Sequence, residues 1–180
     1  MRLLMLLVLL LPVLSFGSEE DKRFFEEKQV LAEQGEANAQ YLLGAMYYTG
    51  RGVPKDDKEA LKWYRLAADQ GFAAAQYNLG SMYNTGEGVP KDHKEAVKWY
   101  RLAADQGFAS AQYNLSAQYD LGVMYLNGRG VPKDNALAYM WVNIAGANGY
   151  DVEKLRELLT GLMSQDEIAK AQEKTTQYIK

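Results

Sequence analysis

One histidine and no cysteine leave this chain of 180 residues few routes to covalent or metal chemistry. Thiol nucleophiles, disulfides and Cys-ligated zinc or iron–sulfur centres are excluded, and His93 alone cannot build a multi-histidine metal site within one chain. His93 has no Ser or Cys partner at a repeated position, and at the start of a helix it reads as a solvated surface residue. The carboxylates Asp56/Glu59 and Asp92/Glu95 have the i, i+3 spacing of helix caps, which accounts for them without general acid–base catalysis. The loops GRGV and GEGV precede no strand and lack a following Lys-Ser/Thr, so they read as helix-joining corners and not as phosphate cradles. No catalytic residue, cofactor site or metal site is assigned. What remains is aromatic: 13 tyrosines, whose rings can pack a core or bind a partner.

The elements that must position those tyrosines come as a repeat of 36 residues. Residues 37–72 and 73–108 are identical at 29 of 36 positions and differ only at 38, 42, 45, 48, 51, 57 and 61 of the first unit. A third copy occupies 109–150 and carries six extra residues, where AQYNL at 111–115 is echoed by AQYDL at 117–121. The insertion predicts a longer helix or a small bulge there. Each unit reads as two helices. Ala39, Gln40, Leu43, Gly44 and Tyr47 form the apolar stripe of the first, which stops at Thr49-Gly50. Asp56 opens the second as N-cap with Glu59 as its capping-box partner. Asp92 and Glu95 repeat the arrangement, while Asp134 keeps the cap and Leu137 lacks the partner. The second helix buries Ala60, Trp63, Tyr64, Ala67 and Ala68 and ends at Gly71, a C′ glycine. Gly44, Gly80 and Gly122 fall mid-helix, where glycine costs about 1 kcal/mol relative to alanine. Close approach of a neighbouring helix, through its Ala-Ala pair, explains the recurrence. No unit alone can bury such faces, so the units must stack.

Residues 1–17 read as a secretory signal peptide: Arg2, an apolar run from Leu3 to Leu14, then Ser15 and Gly17 before the cleavage point. The run is shorter than the roughly 20 apolar residues of a spanning helix, so stable membrane insertion after cleavage is not expected. Removing Arg2 takes the formal charge from −3 to −4. That acidic balance argues against nucleic acid as a partner. The expected location is the bacterial periplasm or the medium. Residues 18–36 read as an N-terminal capping helix, with Phe24 at the Ala60 position and Val30, Leu31 and Ala32 turned inward. Residues 151–180 read as C-terminal capping helices, with Ser164 and Glu167 as a capping box.

Leu43-Gly44 with Tyr47 is similar to the tetratricopeptide repeat. The longer period, the Gly-x-Gly-Val-x-x-Asp loop, A-x-A-Q before Leu-Gly and A-x-x-WY-x-x-AA-x-QG after the loop resemble the Sel1-like repeat family. The third copy departs at Val142, where Tyr is usual, and at Gly146, where the second Ala is usual. The resemblance implies an all-α fold, a right-handed α/α solenoid of TPR-like helix pairs with a concave surface lined by first helices. It also implies a non-enzymatic adaptor or scaffold for proteins in bacterial envelope signalling, assembly or host contact. Some cysteine-rich members are linked to β-lactam binding or hydrolysis. A cell-wall or β-lactam-related binder or hydrolase is therefore the alternative, disfavoured by the absence of cysteine.

On a concave surface of first helices, Tyr41, Tyr77 and Tyr119 lie off the main apolar stripe. Ala45, Ser81 and Val123 follow at i+4, and Tyr48, Asn84 and Leu126 at i+7. These nine residues are the candidate contact line for a protein or peptide partner, because aromatic side chains carry much interface energy. The competing reading has the tyrosines half-buried between adjacent first helices. Tyr47, Tyr83, Tyr125, Tyr64 and Tyr100 are expected in the core.

Overall fold

The structure is a computed structural model and describes residues 17–106 and 111–179, with side chains given for all but 111–114 and 179. The leader read over 1–17 lies outside the described residues except for Gly17. Among the described residues the fold is an all-α solenoid of consecutively packed helix pairs. A lone helix α1 (Glu19–Glu33) precedes three pairs: α2 (Ala37–Thr49) with α3 (Asp57–Asp69), α4 (Ala73–Thr85) with α5 (His93–Ala104), and α6 (Ala111–Asn127) with α7 (Asn135–Ala147). Two further helices follow, α8 (Glu153–Leu162) and α9 (Gln165–Ile179).

Local chemistry sets the helix ends. Gly50 and Gly86 stop α2 and α4 in the left-handed region at φ 77° and 86°, which glycine adopts without steric cost. The loop then turns back, and the Asp56 N–H donates to the Tyr47 carbonyl at 2.9 Å, closing the corner on the last turn of α2. Asp92 and Asp134 do the same to Tyr83 and Tyr125 at 2.9 and 3.0 Å. The Asp56 carboxylate accepts from the N–H groups of Lys58 and Glu59 at 2.9 and 3.1 Å. The reciprocal half of the expected capping box is absent. Because the Asp56 N–H is already taken by Tyr47, Glu59 turns to Lys62 at 3.2 Å, and Glu95 likewise to Lys98. True capping boxes form at the two ends of the chain, Ser18 with Asp21 and Ser164 with Glu167.

The mid-helix glycines do face a close approach, but not by the alanine pairs. A Cβ on Gly44 would lie 2.8 Å from the Tyr64 ring, one on Gly80 2.8 Å from Tyr100, and one on Gly122 2.6 Å from Val142. Glycine on the first helix and a bulky residue on the second therefore fit together within each unit. The second loop glycine serves between units. Gly88 rests on the Asp57 carbonyl and Gly130 on that of His93, with no room for a Cβ, and Gly52 meets Asp21 in the same way. Asp21, Asp57 and His93 are spaced by 36, so α1 stands in the place of a second helix.

A buried glutamine ladder stitches the units. Gln40, Gln76 and Gln118 are at most 5% exposed. Gln76 donates to the Ala68 carbonyl at 3.1 Å and accepts from Gln106 at 2.6 Å, while Gln106 also donates to the Gly71 carbonyl at 2.7 Å. Gln40 and Gln70 reproduce this one unit earlier, and Gln118 with Asn148 one unit later. Buried polar groups are kept only when so satisfied.

Two further expectations are revised, and a choice between two alternatives is decided. Trp99 and Trp141 are buried between units, but Trp63 is only half-buried. Val30 is 55% exposed and not turned inward. The six inserted residues lengthen a helix: α6 has 17 residues where α2 and α4 have 13.

Apart from Val142, the departures of the third unit meet the two helices that follow it. Arg156 and Val152 press on Gly146, where a Cβ would come within 2.6 Å of Val152. The stripe Ile168, Ala171, Thr175 and Tyr178 of α9 lies toward the body, with Ile168 and Ala171 in one core with Met140, Trp141 and Ile144. Met140 and Ile144 stand where the earlier units carry Lys98 and the 42% exposed Leu102. Leu137 in place of Glu95 belongs to the same covered surface. Tyr178 caps it, edge-on to Trp141 at 5.0 Å with its hydroxyl bonded to Asp105. That bond gives Asp105, at the end of α5, a partner that helix-dipole reasoning does not supply.

Candidate partner-binding face

All nine residues of the candidate line, Tyr41, Ala45, Tyr48, Tyr77, Ser81, Asn84, Tyr119, Val123 and Leu126, are half-buried on α2, α4 and α6. The helices that carry them are held behind by the fit of Gly44, Gly80 and Gly122 against Tyr64, Tyr100 and Val142, and by the glutamine ladder. Helices α4 and α6 also touch directly.

The tyrosines are neither free spikes nor fully core. Tyr41 lies against Tyr64 and Phe72, with ring centroids 5.8 and 5.0 Å away. Tyr77 tilts on Tyr100 at 5.6 Å, and Tyr119 on Tyr150 at 5.0 Å. Such stacks add about 0.5–1.5 kcal/mol each beyond area burial. The three rings therefore carry stability as well as surface, so replacing them with alanine would disturb the fold together with any binding. Of the expected core tyrosines, Tyr64, Tyr100 and Tyr125 are buried, whereas Tyr47 and Tyr83 are half-buried against the core.

Between α4 and α6 the face becomes polar. The Tyr77 hydroxyl donates to the Asp120 carboxylate and accepts from Ser116. Burial pushes Asp120 up to about 6, only partly offset by that bond, and Tyr77 is pushed up to about 12 by its own burial and by Asp120. Tyr100, deeper still, is raised by desolvation, while Ser81 and Asn84 hydrogen-bond its hydroxyl. Asn84 also meets His93, with Oδ1 3.0 Å from Nδ1. His93 is thus tied to the candidate line and is not simply solvated. The amide positions its ring but offers it no nucleophile.

Asp120 was not singled out by the sequence. The signal was present, since Leu42, Asn78 and Asp120 share one position in the three units, yet only the packing shows that the third is a half-buried carboxylate. The Tyr48 hydroxyl, likewise, donates to Glu87 at 2.9 Å across the boundary between the first two units, which raises Tyr48. Among the described residues no group of three or more His, Asp or Glu side chains could hold a metal ion, and no helix is long and apolar enough to cross a membrane.

The model of the Sel1 repeat family matches residues 37–72, 73–108 and 109–150. A crystal structure of c5321, a protective antigen present in uropathogenic Escherichia coli strains and displaying an SLR fold, is 35% identical with a TM-score of 0.76; the match covers 86% of this chain and 32% of that one. A Sel1 repeat protein from Oxalobacter formigenes is 37% identical with a TM-score of 0.67, over 73% of this chain and 51% of that one. The chain thus spans a third to a half of the length of these two structures. Among curated proteins none matches.

Proposed function

This chain belongs to the Sel1 repeat family, whose fold is generally a non-catalytic protein–protein interaction scaffold, and from that premise we propose that it is an exported scaffold that holds a protein or peptide along the face of α2, α4 and α6. The role is envelope signalling, assembly or host contact in a bacterium. One observation carries the reading: nine half-buried aromatic, small and polar side chains recur in the same three places of each unit, braced from behind. Rigid half-exposed tyrosines lose little entropy when a partner covers them. The leader read over 1–17 supports export, and one protein similar in fold is described as a protective antigen present in uropathogenic Escherichia coli strains.

The test places a photo-crosslinking residue at Ser81 or Val123 and, as a control, at Lys62 on the outer side of α3. In native envelope material the first two should trap the same partner and Lys62 should not. Equal trapping from both faces, or none from the first two, overturns the assignment. Amino-terminal sequencing of exported protein should begin at Ser18; retention of the intact chain in the cytoplasm overturns export.

A further inference from the structure

The face just described is uniform in plan but not in charge. Among the described residues, the carboxylate carried by α2, α4 and α6 themselves is the half-buried Asp120, at a position filled by Leu42 in the first unit and Asn78 in the second. An ionised carboxylate taken out of water is retained at little cost only when a cation or several strong donors face it. Among the described residues one donor does, the Tyr77 hydroxyl on α4. The titratable groups around it are Tyr77 on α4, Tyr100 on α5 and, facing Tyr77, Tyr150 beyond α7; among the described residues no Lys, Arg or His influences it. Ser116, one turn earlier on α6, adds a second hydroxyl beside Tyr77, and the Tyr119–Tyr150 pair adds two aromatic rings to the same end of the face. A counter-ion with one partner, hydroxyl acceptors beside it and aromatic rings nearby are the recurring parts of a site for an organic cation.

We infer that Asp120, with Tyr77 and Ser116, forms a subsite of this face for one basic side chain of a partner peptide, a lysine ammonium or an arginine guanidinium. The inference rests on the peptide-binding reading above and adds a charge requirement to it. The cation donates to the Asp120 carboxylate and to the Tyr77 and Ser116 oxygens, and its alkyl stem lies along the neighbouring tyrosines. Leu42 and Asn78 make no such demand at the other two units, so the basic residue has a fixed place at the third-unit end of the bound segment. Protonation of Asp120 below about pH 6 removes the counter-ion and with it the preference.

The experiment uses the full chain, immobilised, and heptapeptide pools randomised at six positions with lysine, arginine, norleucine or glutamate fixed at the centre. At pH 7.5 the lysine or arginine pool should be retained at least about fivefold over norleucine. Asp120→Asn should abolish that ratio while still retaining peptide, as should lowering the pH to 5. Should Asp120→Asn fold poorly by circular dichroism, Asp120→Leu, which installs the residue of the first unit, gives the same readout. Equal retention of lysine and norleucine by the unaltered chain, or a lysine preference that survives both substitutions, overturns the subsite and leaves the scaffold reading standing. Retention of no pool overturns both.

Discussion

The hydroxyl of Tyr48 donates to Glu87 at 2.9 Å, so two of the few positions at which the twin units differ, 48 and the counterpart of 51, meet each other across the unit boundary. A second such pair lies within the next unit, where Asn84 meets His93 in place of Tyr48 and Asp57. The divergence of the two copies is therefore organised in contacts, on and beside the candidate line.

Tyr48→Phe keeps the ring and deletes the bond to Glu87. Its expected cost is about 0.5–1.5 kcal/mol, the net value of one intramolecular hydrogen bond. Urea denaturation of Tyr48→Phe, Glu87→Gln and the double variant should show the two losses to be non-additive. Additive losses would mean that the pair is not coupled.

Gly44→Ala should destabilise by roughly 1–3 kcal/mol, because the added methyl meets the Tyr64 ring at 2.8 Å in a packed interior. Helix propensity alone gives the opposite sign. Gly161→Ala, in α8 with nothing within 4 Å of the new Cβ, should follow propensity and stabilise by about 0.5–1 kcal/mol. Thermal melts of the two variants check the contrast.

Gln76→Ala removes both the donor to the Ala68 carbonyl and the acceptor of Gln106. Stranding the buried Ala68 carbonyl should cost on the order of 1–3 kcal/mol. The amide N–H groups of α4 and α5 should then exchange faster in hydrogen-exchange measurements than those of α2 and α3.

Asp120 is raised from its ordinary range to about 6 by burial. A carboxyl whose folded pKa lies above its unfolded value contributes stability that is complete below pH 4 and lost as pH rises through 6. The fold should therefore gain stability from this group on acidification from about pH 6 to 4. Asp120→Asn should flatten that window and be more stable than the unaltered chain at pH 7.5 by about 1–3 kcal/mol. Denaturant midpoints at pH 4, 5, 6 and 7.5 test the sign.

Ending the chain at Met163 removes α9 and exposes the apolar core formed by Met140, Trp141 and Ile144. The third unit should lose its cooperative melting while the first two retain helical signal, since solenoid units depend on their neighbours. The milder Tyr178→Phe deletes only the bond to Asp105 and should cost about 1 kcal/mol or less.

The period, the helix pairs, the Asp caps and the glycine stops were readable in the residues, because each depends on contacts within a few positions of the chain. So was the line of Tyr41, Tyr77 and Tyr119 as a repeated feature, since the recurring motif around each of them carries it to an equivalent place. The partner of each residue was not readable. Glu59 lost its capping role to a carbonyl nine residues back from Asp56, and Gly44 met a tyrosine and not the alanine pair. Gln106 reached Gln76, and Tyr178 reached Asp105. These are contacts between separate elements, fixed by how helices stack, and a local pattern cannot rank them. The same holds for Asp120. Its type is written in the sequence, but burial makes it an under-compensated charge, and burial belongs to the tertiary structure alone.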